Sequence, residues 1–70
     1  MLDMKELAER RLRLNPYLAL RNVSCDYQDG VLVLRGSLPT YYLKQRAQEV
    51  VAQLGGVEHI ENQIEVITEG

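Results

Sequence analysis

Apolar residues recur at helical spacing near the start of the chain. These positions are Met4, Leu7, Ala8 and Leu14, and they follow Asp3, a residue type that caps helices. Pro16 disfavours helical geometry at Asn15. The pattern therefore predicts a first helix over residues 3–14, and residues 17–20 could form one further turn.

Two segments with strict alternation, residues 23–28 and 31–38, flank the dipeptide Asp29-Gly30. This arrangement is typical of a hairpin with a type I′ turn, in which both central residues take positive φ. The predicted register pairs Tyr27 with Leu32, Cys25 with Leu34 and Val23 with Gly36 on one side, and Gln28 with Val31, Asp26 with Val33 and Ser24 with Arg35 on the other. The first side is apolar or small and the second mostly polar, so the first is expected to face the core.

A second helical stripe begins after Thr40, the expected N-cap, and comprises Leu43, Ala47, Val50, Val51 and Leu54. Gly55-Gly56 is expected to end this helix, because a left-handed C′ position favours glycine. A third strand is predicted over residues 58–67, with Ile60, Asn62, Ile64 and Val66 on its core side. Nearby backbone is expected to satisfy the hydrogen bonds of Asn62.

The order of elements predicts the fold class as α+β. We expect an αββαβ two-layer sandwich in a single domain over residues 1–70, with both helices on one face of a three-stranded mixed sheet. The crossover through the second helix should be right-handed, which makes strands two and three parallel. The pattern leaves open whether strand three lies beside strand one or strand two.

Composition and charge exclude several classes of protein. The 70 residues carry a net charge of -2, which argues against nucleic-acid binding, since phosphate contacts need a basic surface. No segment is apolar for long enough to span a membrane, and the first twenty residues are too charged for a signal peptide. The chain is therefore expected in the cytoplasm if Met1 is the natural start.

The reactive side chains do not form a catalytic set. One cysteine and one histidine allow neither an internal disulfide nor a zinc site. Cys25 is expected to be a small buried hydrophobe, and His59 should project from the opposite face of the sheet. We therefore expect no enzyme activity, no cofactor, no metal and no small-molecule substrate.

Gly36 is expected to allow a helix close to the backbone.

Three segments together resemble the BON domain, a family named for bacterial osmotically induced periplasmic and nodulation proteins. The segments are Asn15-Pro16, residues 29–38 (DGVLVLRGSL) and residues 56–66 (GVEHIENQIEV). The resemblance implies an αββαβ module that binds without catalysis. It also implies association with phospholipid membranes or, as in some members, binding of potassium. The chain is expected to depart from the common setting of the family, with one copy of the domain and, if Met1 is the natural start, no export signal.

An uncovered sheet face is the first candidate binding surface. With both helices on one side, the other side displays Val31 and Val33 among polar residues, although an open face normally alternates to polar. Tyr41 and Tyr42, at the start of the second helix, could add contact area. We therefore expect contact with a protein partner or a second copy of the chain, through this face or through an unpaired edge strand.

A basic segment is the second candidate surface. Arg10, Arg11, Arg13 and Arg21 lie in a window without acidic residues. Glu6 and Glu9 are expected to pair with Arg10 and Arg13 at i, i+4 spacing. That leaves Arg11 and Arg21, beside Tyr17, to contact anionic phospholipid. The acidic outer side of strand three, Glu58, Glu61, Glu65 and Glu69, is expected to be solvated, and potassium binding depends on the resemblance alone.

Overall fold

The computed structural model describes residues 3–67. Two α-helices, α1 (Met4–Arg13) and α2 (Tyr41–Ala52), accompany a short 3₁₀ helix (Leu18–Asn22). The strands are β1 (Ser24–Gln28), β2 (Val31–Arg35), β3 (Ser37–Leu38), β4 (His59–Asn62) and β5 (Glu65–Val66). The α+β class is as predicted, and the further turn after α1 is the 3₁₀ helix. The predicted second strand over residues 31–38 is divided at Gly36 into β2 and β3.

The main sheet has three strands in the order β1-β2-β4. β1 and β2 are antiparallel in the predicted register, from Ser24 opposite Arg35 to Gln28 opposite Val31. Asp29 and Gly30 take φ values of 51° and 81°, as a type I′ turn requires. β4 lies parallel to β2, so the third strand of the sheet lies beside strand two.

The predicted strand over residues 58–67 keeps its pairing throughout but is interrupted at residues 63 and 64, between β4 and β5. β5 pairs in parallel with β3 in a two-stranded sheet, in the register of β4 with β2, since His59 lies opposite Val31 and Glu65 opposite Ser37. The N–H groups of Gln63 and Glu65 bond to the carbonyls of Leu34 and Gly36 across the interruption, which lies beside Gly36 at φ 141°. The alternation of sides survives, since Ile64 is only 2% exposed.

A helix approaches the backbone of Gly36 as predicted, and it is the 3₁₀ helix. A Cβ atom at this position would lie 2.8 Å from the carbonyl oxygen of Asn22, the last residue of the 3₁₀ helix. Glycine is needed here for two reasons, because the backbone is left-handed and because another backbone lies in contact with it.

In α1 the Oδ1 of Asp3 accepts a hydrogen bond from the N–H of Glu6 at 2.8 Å, which confirms the N-cap. The predicted apolar stripe is partly wrong, because Leu12 is buried while Leu14 is 78% exposed. The buried side of α1 is that of Ala8 and Leu12, and helical rotation places Leu14 on nearly the opposite side, near Leu7, which is itself 37% exposed.

In α2 the hydroxyl of Thr40 accepts a hydrogen bond from the N–H of Leu43 at 3.1 Å, again as predicted. The helix ends at Ala52, before the glycine pair, and the N–H of Leu54 closes a tighter last turn on Val51. The interpretation of Gly55-Gly56 as the C′ cap is therefore wrong. Only Gly56 has a positive φ, 95°, and it belongs to the loop that leads to β4.

The core lies between the sheet and the two helices, which also pack against each other. It contains Ala8, Leu12, Leu20, Val23, Cys25, Leu32, Leu34, Leu38, Ala47, Val51 and Ile64. The thinnest dimension of the molecule is 15 Å, as expected for one helical layer on one sheet. Within residues 3–67, this arrangement leaves the other side of the sheet without a helix.

Candidate functional site

The surface that the helices leave bare carries the two predicted valines. The register places Val31 and Val33 on it together with Asp26 and Arg35, and we call this side of β1, β2 and β4 the open face. Both valines are half-buried and line a shallow depression of about 480 Å³ between Tyr27 and Arg35. The open face therefore has an apolar centre.

A chain of polar contacts crosses the open face beside the valines. Arg35 donates to Asp26 at 2.7 Å and to the Oε1 of Gln63 at 3.3 Å. Gln63 in turn donates to Glu61 at 3.0 Å, and Lys5 of α1 approaches Asp26 at 3.9 Å. These groups are exposed, so each pair contributes little to stability. They place charges of both signs around the valines.

The two edges of the sheet differ. At the β1 edge, a carboxylate oxygen of Glu9 in α1 accepts a hydrogen bond from the N–H of Cys25 at 3.0 Å. At the other edge, the N–H groups of His59 and Gln63 point inward, to Gly30 and Leu34. Because the direction of N–H groups alternates along a strand, those of Ile60 and Asn62 point outward.

Asn62 limits the free edge of β4. Its side-chain oxygen accepts a hydrogen bond from the N–H of Ile64 at 3.2 Å. Its amide group donates to the carbonyl of Lys44 at 3.1 Å and to the side chain of Gln48 at 3.2 Å, both in α2. The prediction that Asn62 is satisfied by nearby backbone is confirmed. The unpaired part of this edge is therefore short.

The two glutamate–arginine pairs predicted along α1 do not form among residues 3–67. The ion pairs of that region are Lys5–Asp26, Arg35–Asp26 and Arg46–Glu49. Glu9 is turned towards the sheet instead, where it bonds to Cys25. Neither Arg10 nor Arg13 is therefore neutralised in the predicted way.

Tyr17 belongs to an aromatic contact that the sequence did not reveal. Its hydroxyl lies 2.9 Å from that of Tyr42, the two rings meet edge to face, and the guanidinium of Arg46 lies 5.8 Å from the Tyr17 ring centre. The hydrogen bond with Tyr17 raises the pKa of Tyr42. Tyr41 is 74% exposed. Arg46 follows Tyr42 at i+4, and this spacing is the one feature of the sequence that indicates that the two side chains lie on the same side of α2.

A groove of about 360 Å³ runs between the end of α1 and α2. It is lined in part by Arg11, Leu14, Pro16 and Arg46. The Nε of Arg46 is buried without a hydrogen-bond partner, the one such side-chain atom within residues 3–67. Arg21, in the 3₁₀ helix, does not line this groove. The structure thus links Arg11 and Tyr17 through Arg46 but does not bring Arg21 to them.

The side chains of Cys25 and His59 lie on opposite sides of the sheet, as predicted. Cys25 is 2% exposed among the core residues, whereas His59 pairs with Val31 and shares its side. Burial, followed by the nearby carboxylates of Glu9 and Asp26, raises the pKa of Cys25 to about 12. This thiol is therefore protonated at neutral pH and is a poor nucleophile.

The acidic outer side of the third strand does not converge. Glu61 bonds to Gln63, and the carboxylate of Glu58 lies against Gly30. Glu69 lies outside the described residues. Across residues 3–67, no three histidine, cysteine or acidic side chains are placed to hold a metal ion.

One comparison relates the chain to a known family. Neither α1 nor α2 is both long and apolar enough to cross a membrane, a finding that covers residues 3–67. A scan against protein-family models matches residues 4–68 to the BON domain. A search of curated proteins finds no match to this chain.

Proposed function

The chain belongs to the BON domain family, a family of binding modules, and from this premise we propose that it binds protein through the open face. The simplest partner is a second copy of the chain. The observation that carries the proposal is the pair Val31 and Val33, half-buried at the centre of a sheet face that no helix covers. The proposed module acts without catalysis and needs no cofactor.

The apolar centre supplies the driving force of this contact. Burying apolar surface stabilises a complex by roughly 25 cal/mol per Å², and two adjacent valines on a flat sheet can be covered by one opposing sheet. The rim is polar, which suits an interface that must also exist as a free surface. The fixed positions of Asp26 and Arg35 add selectivity for a partner with matching charges.

A second copy meets these charge requirements. The open face carries Asp26 and Glu61 as acids and Arg35 as a base. In a two-fold contact each patch meets the same patch of the other chain, so a face with both signs can pair acid with base twice. A face of a single sign would repel its own copy.

Analytical ultracentrifugation of wild type and Val33→Glu tests the proposal. We expect wild type to associate at tens to hundreds of micromolar and Val33→Glu to dissociate at least about tenfold more readily, because a carboxylate would be desolvated in the contact. Val33→Thr, which keeps the side-chain shape, should show a smaller effect in the same direction. Circular dichroism verifies that each variant is folded.

Leu18→Glu is the matched control, because Leu18 is 66% exposed on the 3₁₀ helix, away from the open face. It introduces the same charge without touching the valines and should leave association unchanged. A wild-type chain that stays monomeric throughout this range, or equal effects of Val33→Glu and Leu18→Glu, would contradict self-association through the open face.

A second candidate function is peripheral binding to anionic phospholipid. Leu14 and Leu18 are 78% and 66% exposed. They flank Tyr17 in the sequence, and the guanidinium of Arg46 lies over the Tyr17 ring. Exposed leucines beside tyrosine and arginine suit the interface between water and an anionic bilayer. Arg11, in the groove beside Leu14, adds a further cation.

Co-sedimentation with vesicles distinguishes this candidate from the first. Anionic vesicles should pellet wild type and Val33→Glu alike, neutral vesicles should pellet neither, and Leu18→Glu should bind severalfold less. Each variant is thus the control for the other proposal. Equal and negligible pelleting of wild type on both kinds of vesicle rejects lipid binding.

A further inference from the structure

The free edge of β4 presents backbone groups that no residue within 3–67 satisfies. The N–H and C=O groups of Ile60 and Asn62 point away from β2, whereas the opposite edge is engaged by Glu9 through the N–H of Cys25. We propose that β4 pairs antiparallel with β4 of a second copy, about a two-fold axis that passes through Ile60. This inference goes beyond the open face, since it concerns the edge of the sheet.

The positions of the outward groups restrict the register. Antiparallel pairing across this edge must place outward residues opposite outward residues, so a two-fold axis can pass through Ile60 or Glu61. An axis through Glu61 sets Glu61 directly opposite its own copy, with Cβ atoms about 5 Å apart, and like charges in that position destabilise a sheet.

The axis through Ile60 avoids this repulsion. It places Glu61 opposite His59 of the second copy, twice, so each carboxylate meets an imidazole N–H. Ile60 lies opposite Ile60 of the second copy, and their backbone groups exchange two hydrogen bonds. Asn62 lies opposite residue 58, whose own N–H is bonded to the carbonyl of Gly30 at 2.8 Å, so the N–H of Asn62 pairs only with the carbonyl of that residue. Ile60 is also half-buried against the core, so this seam joins the apolar layers of the two chains.

The side chain of Asn62 sets the length of the seam. Because it already satisfies the N–H of Ile64, the pairing stops at residue 62 on one side. By symmetry it also stops there in the second copy. The result is a six-stranded sheet with the order β1-β2-β4-β4-β2-β1, in which both open faces lie on the same side.

Hydrogen exchange measured residue by residue at about 10 µM and 1 mM protein tests the seam. The N–H groups of Ile60 and Asn62 should exchange at least about tenfold more slowly at the higher concentration, because they become hydrogen-bonded only in the dimer. The N–H groups of His59 and Gln63, bonded to Gly30 and Leu34 within the chain, are internal controls. Unchanged exchange of Ile60 and Asn62 at 1 mM overturns the proposal.

Changing the charges of His59 and Glu61 by substitution tests the register of the seam. His59→Glu places two pairs of carboxylates across the seam and should weaken dimerisation about fivefold. Combining His59→Glu with Glu61→Lys restores opposite charges and should return the affinity to that of wild type. Both side chains are exposed, so folding is not at risk. Failure of the double variant to recover, or no effect of His59→Glu, overturns pairing about Ile60.

Val33→Glu separates this inference from the open-face proposal. The slowed exchange of Ile60 and Asn62 should persist in Val33→Glu, because Val33 lies on the face and not at the edge. Its persistence supports the seam even if the open face binds nothing. Its loss would mean that the contact depends on the face, and would overturn the seam.

Discussion

Gly36 combines two constraints at one residue, a φ of 141° and a carbonyl oxygen only 2.8 Å from where a Cβ would lie. Gly36→Ala should therefore destabilise the fold by about 2 kcal/mol through backbone strain and displacement of Asn22. Urea unfolding measures the loss. Gly55→Ala is the control, since its Cβ would meet nothing within 4 Å, and it should be neutral. Equal losses in the two variants would refute this account of Gly36.

Cys25 makes stability depend on pH. Its pKa rises from about 9 to about 12 on folding, mainly through burial, so the neutral thiol is favoured in the folded state. The stability contributed by this group is complete below about pH 9 and is lost as the pH rises towards 12. Between pH 8 and pH 10.5, wild type should lose about 2 kcal/mol more than Cys25→Ala. Urea unfolding measures both proteins. Equal losses of stability in wild type and Cys25→Ala would contradict the claim that Cys25 makes stability depend on pH.

At the scale of elements, Asn62 joins helix and sheet. It bonds to Lys44 and Gln48 of α2 and to the N–H of Ile64. Asn62→Ala leaves these partly buried groups without partners and should cost about 2 kcal/mol in urea unfolding. Gln63→Ala, which removes only exposed contacts, should cost less than about 0.5 kcal/mol. A larger loss of stability in Gln63→Ala than in Asn62→Ala would show that α2 and β4 are held together by other contacts.

The elements that the sequence predicted correctly are those with local signals. Asp29-Gly30 sets the turn and thereby every pair of the hairpin, and Asp3 and Thr40 cap their helices through residues three positions away. The alternation of the hairpin also placed Val31 and Val33 on the open face. Each of these signals lies within a few residues of the feature that it predicts.

The features that were missed depend on contacts between distant segments. The interruption of the last strand at residues 63 and 64 lies beside Gly36, which belongs to the segment between β2 and β3. Glu9 was assigned to an ion pair within α1, yet it bonds to a strand 16 positions away. Arg46 lies against Tyr17, which is still farther away along the chain. Periodicity describes which side of an element is apolar, and it does not say which element lies there.

At the scale of the whole molecule, the two proposed contacts use different surfaces and different two-fold axes. The axis of the seam is perpendicular to the sheet, and an axis that relates two open faces lies parallel to it. Perpendicular two-fold axes are compatible with a closed tetramer of dihedral symmetry. In this tetramer, two six-stranded sheets would stack through their valines.

The contact between Glu9 and Cys25 predicts how far assembly goes. Glu9→Ala removes the acceptor at the β1 edge and should turn a limited assembly into one that grows, with rising light scattering and thioflavin T fluorescence at 1 mM. Glu6→Ala, one turn earlier on the exposed side of α1, should not. If both variants remain as limited in size as wild type, the carboxylate has no part in closing that edge.

A strand with an open margin on each side is the repeating unit of an amyloid fibril. In this chain the carboxylate of Glu9 accepts a hydrogen bond from the N–H of Cys25 at the β1 edge, whereas the β4 edge has no such partner among residues 3–67. Under the proposed pairing of β4, one acidic side chain, 16 positions from the amide that it binds, would therefore favour a particle of definite size over an indefinite filament.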